Sequence, residues 1–221
     1  GTAWGKEGQP IRWVKNAELE SFSFPAANRP IVNACLLPKL IAITPADIQV
    51  FEQLNDFLHL ACQNSAEAVM FRLPECSESE VDILLRHTEG FCTEKKMFFS
   101  ANVSVEVGNN LSLQAVHLSA DRLKVLTHGS EFSGRWLSAS CHNAEELEMA
   151  VAKGLDFVTL SPVLPTGSHP KAEPIGWEAF QLLVKECPIP VFALGGLSLS
   201  HQNDAREQGA QGIAAISAWL N

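Results

Sequence analysis

The chain is expected to fold as an α/β protein, a (β/α)8 TIM barrel, and three observations carry that expectation. From Pro38 onward, short apolar or β-branched runs alternate with amphipathic stretches, the pattern of parallel strands joined by helices. The 221 residues suit one barrel-sized domain with a small extra piece. Within residues 156–217, two runs that close on small or hydroxyl residues, 190–194 and 212–216, flank a helical stretch near 200–207. Such a βαβ unit brings backbone N–H groups to the carboxyl ends of parallel strands, where the last two strands of an α/β barrel commonly hold a phosphate.

The elements follow in order. Residues 39–44 (KLIAIT) form the first strand, and Pro45-Ala46-Asp47 opens a helix that lays Leu54, Phe57, Leu58 and Ala61 on one face. Residues 68–73 (AVMFRL) are the second strand. Ser77, Glu78, Ser79 and Glu80 cap the next helix, which runs to about His87. Residues 97–101 and 115–118 are strands three and four, with a short helix near 121–127 behind them. Residues 135–139 are strand five, and a helix over 144–153 stops at Gly154. Residues 157–160 are strand six, 177–187 a helix, and the pair described above supplies strands seven and eight.

Composition narrows the function classes. Apolar residues make up 46% and charged residues 19%, enough core and too little charge for a disordered chain. A net charge of −9 argues against nucleic-acid binding, yet permits a small basic pocket for one phosphorylated metabolite. No apolar run is long enough for a membrane span and no signal peptide is evident, so a cytoplasmic protein is expected. The six cysteines (Cys35, Cys62, Cys76, Cys92, Cys141, Cys187) lack metal-binding spacing and are expected to be free thiols in the core.

Residues 1–37 break the rhythm. Residues 11–14 (IRWV) read as a strand, 17–19 as a helical turn and Phe24-Pro25-Ala26-Ala27 as a helix start. So short a piece cannot bury a core of its own and must dock on the barrel or belong to a larger domain. The run EGQPIRWV followed by FPAANRPI resembles the closing strand and helix of MutT-type Nudix hydrolases. That resemblance implies a tail of such a domain over 1–37, a purine contact for Asn28 and a Nudix domain in cis. The acidic Nudix helix is not in this sequence, so hydrolysis of a nucleoside triphosphate by these residues alone is not expected.

The remainder, 38–221, resembles the thiamine-phosphate synthase and thiazole tautomerase (TenI) barrels, of the type fused behind a MutT-like domain. The resemblance rests on Ser138-Ala139-Ser140-Cys141-His142 with Glu145-Glu146-Leu147, then SPVLPT, Gly176-Trp177, ALGG and GIAAIS. Arg72, Asn102 and His117-Leu118 sit where the family has its second, third and fourth strand-end motifs. A synthase joins an aminopyrimidine diphosphate to a thiazole phosphate and expels pyrophosphate, which calls for Mg²⁺ on carboxylates plus cations. Here the family's Asn-Asp-Arg reads Asn102-Val103-Ser104, its Arg-x-Lys reads Arg72-Leu73-Pro74, and its Gly-Gln before a metal-binding Asp reads Ser119-Ala120-Asp121-Arg122. The diphosphate side is thus eroded while the phosphate side is kept.

That asymmetry is what the resemblance implies for a tautomerase, which needs an anchor and one general acid/base and no metal. His142 is the candidate acid/base, with Ser140 beside it orienting a ligand; the other reading has His142 only opening the helix after it. The anchor is expected from the amides of Gly195 and Gly196, of Ile216 and Ser217, and of Gly176. The two glycines are taken to leave no Cβ between backbone and ligand. Arg72, Asn102, His117, Thr166 and Ser168 are candidate substrate contacts, the last two in a loop long enough to act as a lid. His169 and Lys171 share that loop, and Trp136, Trp177 and Trp219 are expected to pack rather than stack on a ring. Two further readings stay open: a non-catalytic phosphate-ligand module partnering an 8-oxo-dGTP diphosphatase-like Nudix hydrolase, and a Mg²⁺-dependent synthase with its metal site rebuilt around Asp121. No cofactor is required by the first reading, and association into a homo-oligomer is left open.

Overall fold

A computed structural model describes residues 4–8, 10–73, 78–167 and 172–220. Eight parallel strands close into a barrel in sequence order. They are β1 (Leu40–Ile43), β2 (Ala68–Phe71), β3 (Phe98–Ala101), β4 (Ala115–Leu118), β5 (Trp136–Cys141), β6 (Phe157–Leu160), β7 (Val191–Leu194) and β8 (Gly212–Ala215). The ring shuts where Leu40 pairs with Ile213. A side chain at Gly212 would collide with the Lys39 carbonyl, which the Ile213 amide meets at 2.9 Å, so glycine is what lets β8 reach β1.

Helices cover the outside: α2 (Phe51–Gln63), α3 (Glu78–Lys95), α4 (Val105–Asn110), α5 (Ala120–Val125), α6 (Ala144–Ala152), α7 (Gly176–Glu186) and α8 (Gln202–Glu207). Each covers the sheet with its apolar face; α2 buries Leu54, Phe57, Leu58 and Ala61, the four residues its spacing predicted. It starts at Phe51 rather than at Pro45, and α3 continues past His87 to Lys95. The predicted cap of α3 at Ser77 lies outside the described residues, as do Pro74 and Cys76. Among the described residues no helix is long and apolar enough to cross a membrane.

The barrel interior is layered, because alternate residues of each strand face inward. At the amino-terminal end sit aromatic rings, Phe98, Trp136, Phe157 and Phe192, in edge contacts with centroids 5.6–6.5 Å apart. Above them lies a buried polar layer of Ser100, His117, Ser138 and Thr159. The carboxyl-terminal mouth is above that layer.

The segment before the strands closes the opposite end. An additional helix, α1 (Arg29–Leu36), sends Leu36 and Leu37 into the interior cluster beneath Ile41 and Trp136. Residues 11–14 pair with no strand among the described residues; β propensity alone does not make a strand without a partner ladder. Asn28 ends a short 3₁₀ turn, Ala26–Asn28, and is exposed. The cysteines are not uniformly core residues: Cys92 and Cys141 are buried and Cys62 and Cys187 half-buried, while Cys35 is exposed near the end of α1. All five are free thiols.

Candidate functional site

The mouth is built by the residues that follow each strand. Arg72 follows β2, Asn102 β3, Ser119 β4, His142 β5, Ser161 β6, Gly195 and Gly196 β7, and Ile216 and Ser217 β8. Strand alternation sets Arg72 above Met70 and Asn102 above Ser100, both on the interior side.

Beneath these lies a hydrogen-bonded chain that spacing alone could not show. His117 is 1% exposed, with Nδ1 2.9 Å from Ser138 Oγ and Nε2 2.9 Å from Ser140 Oγ. Ser138 donates its single proton to the Val116 carbonyl at 3.2 Å, so it accepts from His117 Nδ1–H. Nε2 then accepts the Ser140 proton, which leaves the Ser140 lone pairs as acceptors toward the half-buried mouth. Burial, reinforced by the positive charge of Arg72, pushes the His117 pKa down to about 3. So weak a base does not make Ser140 a nucleophile; the pair fixes a hydroxyl in place. Beside it, Thr159, in register with Ser140, holds its Oγ1 buried without a partner among the described residues. An orphaned hydroxyl in a polar layer beneath the mouth is a group for a ligand or an ordered water to satisfy.

The folded pKa of His117 lies below the unfolded value of about 6.5, so between those limits the unfolded chain binds a proton that the native chain does not. Stability therefore falls as pH drops, by about 1.4 kcal/mol per unit for this group. From pH 6.5 to 4.5, wild type should lose about 2.3 kcal/mol through His117, less than two full units because the unfolded histidine is already half protonated at pH 6.5. Urea unfolding at both pH values should show this loss reduced by that amount in His117→Gln; equal losses in the two proteins would refute the assignment.

His142 is exposed and not a helix cap. Asn143 is the cap of α6, its Oδ1 accepting from Glu146 N at 2.9 Å, and Glu146 Oε2 accepts from the His142 amide at 2.9 Å. The imidazole is fixed separately. Its Nδ1 lies 2.9 Å from the Ser161 carbonyl, which can only accept, so Nδ1 carries a proton; Ser161 Oγ lies 3.2 Å from the same nitrogen, and Nε2 has no partner among the described residues. The helix-opening role thus belongs to Asn143 and Glu146, and the ring is left with Nε2 unengaged among the described residues.

The phosphate-anchor residues divide. Gly195 and Gly196 have φ of +100° and +68°, but their missing side chains do not face a ligand. A Cβ at Gly195 would come within 2.7 Å of Pro162 Cα, and one at Gly196 would run into the Pro165 carbonyl. The glycines are there because the loop after β6 lies along the end of β7, with Val163 N on Leu194 O at 2.9 Å and Leu164 N on Gly195 O at 3.0 Å. The amides of Gly196, Ile216 and Ser217 have no protein acceptor among the described residues. That of Gly176 is taken by Val163 O at 3.0 Å, so among the described residues it is the first-turn amides beyond it in α7 that are left without an acceptor. Ser217 opens a short 3₁₀ turn, Ser217–Trp219, not a full last helix. Thr166 is half-buried in the loop; Ser168, His169 and Lys171 lie outside the described residues. Gly196→Ala should lower stability by roughly 1–3 kcal/mol, since it adds left-handed strain to a backbone clash. Thermal unfolding checks this, and an unchanged midpoint would contradict the loop contact.

Sequence reasoning missed Arg122. Its Nη1 reaches back from the first turn of α5 to Asn102, 2.9 Å from Oδ1 and 3.3 Å from the carbonyl oxygen. Two carboxylates close by in the sequence and fold are engaged with Lys124: Asp121, with its side chain 95% exposed, at 3.6 Å, and Glu146 Oε1 at 3.4 Å.

Against known proteins, the family described as thiamine monophosphate synthase (TMP-TENI) matches residues 40–219. The thiamine-phosphate synthase of Chlorobium luteolum is 29% identical over 82% of this chain and 84% of its own length. That of Thermosynechococcus vestitus is 26% identical over 76% of this chain but only 48% of its own, so the chain spans about half of that relative. Among solved structures, thiamine phosphate pyrophosphorylase from Pyrococcus furiosus superposes with a TM-score of 0.66, covering 88% of this chain and 89% of that one at 22% identity. With its closed eight-stranded barrel, its strand-end site and the match across residues 40–219, the chain belongs to the thiamine monophosphate synthase (TMP-TENI) family.

Proposed function

We propose that the barrel binds a thiazole phosphate, or a similar small phosphorylated heterocycle, and moves a proton on its ring. The observation that carries this reading is His142: an imidazole after β5 whose Nδ1–H is held by the Ser161 carbonyl, with Nε2 left without a partner among the described residues. The phosphate would rest on the free amides of Gly196, Ile216 and Ser217, with the first-turn amides of α7 adding their partial positive charge. Ser140 would accept a hydrogen bond from the ring, and Thr159 Oγ1 would gain the partner it lacks. A water-excluding role for the loop holding Thr166 belongs to the same proposal.

The names of the relatives favour a second reading, synthesis of thiamine phosphate with release of pyrophosphate. One experiment separates them. The protein is incubated in deuterated water with a thiazole phosphate, and separately with both thiamine precursors and Mg²⁺. Ring proton exchange in the presence of EDTA supports proton transfer. Pyrophosphate release without such exchange supports the synthase. Binding with neither leaves the phosphate-ligand module.

Residues 1–37 as the tail of a Nudix-like domain remain part of this proposal. Trp4 and Trp13, 77% and 85% exposed, are the kind of surface another domain covers.

A further inference from the structure

The family to which the chain belongs implies a magnesium ion near the ends of β3 and β4, and the residues present do not suit one. A hard dication takes carboxylate oxygens. Val103 is packed into the core at 8% exposure, and Asp121 and Glu146 are paired with Lys124. Among the described residues no group of three His, Cys, Asp or Glu side chains comes together. The remaining oxygen, Asn102 Oδ1, already accepts from a guanidinium. Placing a dication beside Arg122 would set two positive charges against each other.

The same positions are instead rich in fixed positive charge. Arg122 is held across the end of β3 by two contacts to Asn102, and Asn102 N is tied to Phe71 O at 2.8 Å, at the end of the neighbouring strand. Arg72 follows Phe71 directly, close enough to His117 for its charge to be felt there. Neither guanidinium forms an ion pair among the described residues; Arg12 and Arg206 do not either, but those two lie away from the carboxyl strand ends. Two unneutralised guanidiniums on adjoining strand ends present planar forks suited to phosphate oxygens.

We infer that the diphosphate side of the mouth, set by Arg72 and Asn102, works in this chain without a metal ion. Arg122 supplies the positive charge that a metal would otherwise supply. Asn102 acts as a positioning residue that aims it. The site stands on residues separate from the β7–β8 anchor and from His142, so it can fail while the proposed proton transfer holds, and the reverse.

The test is calorimetric titration of the full chain with inorganic pyrophosphate at fixed ionic strength, in EDTA and again in excess Mg²⁺. Wild type should bind in EDTA, with Arg122→Gln weakened at least tenfold and Arg122→Lys less. Asn102→Asp, which places a carboxylate on the guanidinium, should weaken binding similarly and serves if Arg122→Gln folds poorly. Binding that appears only with Mg²⁺ overturns the inference. So does wild-type affinity in Arg122→Gln, or a loss confined to Gly196→Ala, which would put pyrophosphate on the β7–β8 anchor.

Discussion

Asp156→Ala should destabilise the protein by roughly 3–5 kcal/mol, the cost of leaving buried partners of a buried charge unsatisfied. Asp156 stands just before β6, 4% exposed, at the floor of the barrel. Its Oδ1 meets Arg29 Nη2 at 2.8 Å, Asn33 Nδ2 at 3.0 Å and Arg135 Nη1 at 3.6 Å, while Oδ2 accepts from Leu137 N at 2.9 Å. One carboxylate therefore ties α1 to β5 and β6. Removing it strands the Asn33 amide, in a side chain 2% exposed, and a strand amide. Arg29→Ala is a contrast: its side chain is 61% exposed, so that half of the pair should contribute no more than about 1 kcal/mol. Denaturant unfolding of both variants gives the comparison. A loss below 1 kcal/mol for Asp156→Ala would show that α1 is not clamped as described.

The fold was legible because alternation of strand and helix is a property of local spacing, and every strand from 39–44 onward lies within a residue or two of its expected place. What failed was local propensity acting alone. The helix α4 was not foreseen, since Gly108, Asn109 and Asn110 are weak helix formers. It is held by the Ser104 cap, and a side chain at Gly108 would collide with Val116 and Phe132. Of the site, the strand-end residues His142, Asn102 and Arg72 could be named from sequence, because they sit where the family the chain resembles has its strand-end motifs. The link from His117 to Ser140 spans two strands, and the reach of Arg122 to Asn102 spans a strand and a helix. Both depend on register, which the sequence pattern does not state. The direction of the missing side chain at Gly196 is likewise tertiary: the glycine was recognisable, but its neighbour is a loop, not a ligand.

The largest functional effect should come from His142→Ala. If Nε2 takes and returns the ring proton, removing it should lower turnover of a thiazole phosphate by about 10²–10⁴-fold. Phosphate affinity should change less than twofold, because no contact of the ring reaches the amides of Gly196, Ile216 or Ser217 among the described residues. Stability should hold as well: the ring is exposed, and the cap of α6 is made by Asn143 and Glu146 through backbone groups that alanine retains. His142→Gln sharpens the test. Its amide can still donate to the Ser161 carbonyl but carries no basic nitrogen, so it should be as inactive as alanine while binding like wild type. Turnover in the glutamine variant within threefold of wild type would show that the imidazole holds Ser161 and does not transfer a proton. The base would then have to be sought elsewhere, and His117, buried and with its pKa lowered to about 3, is a poor substitute.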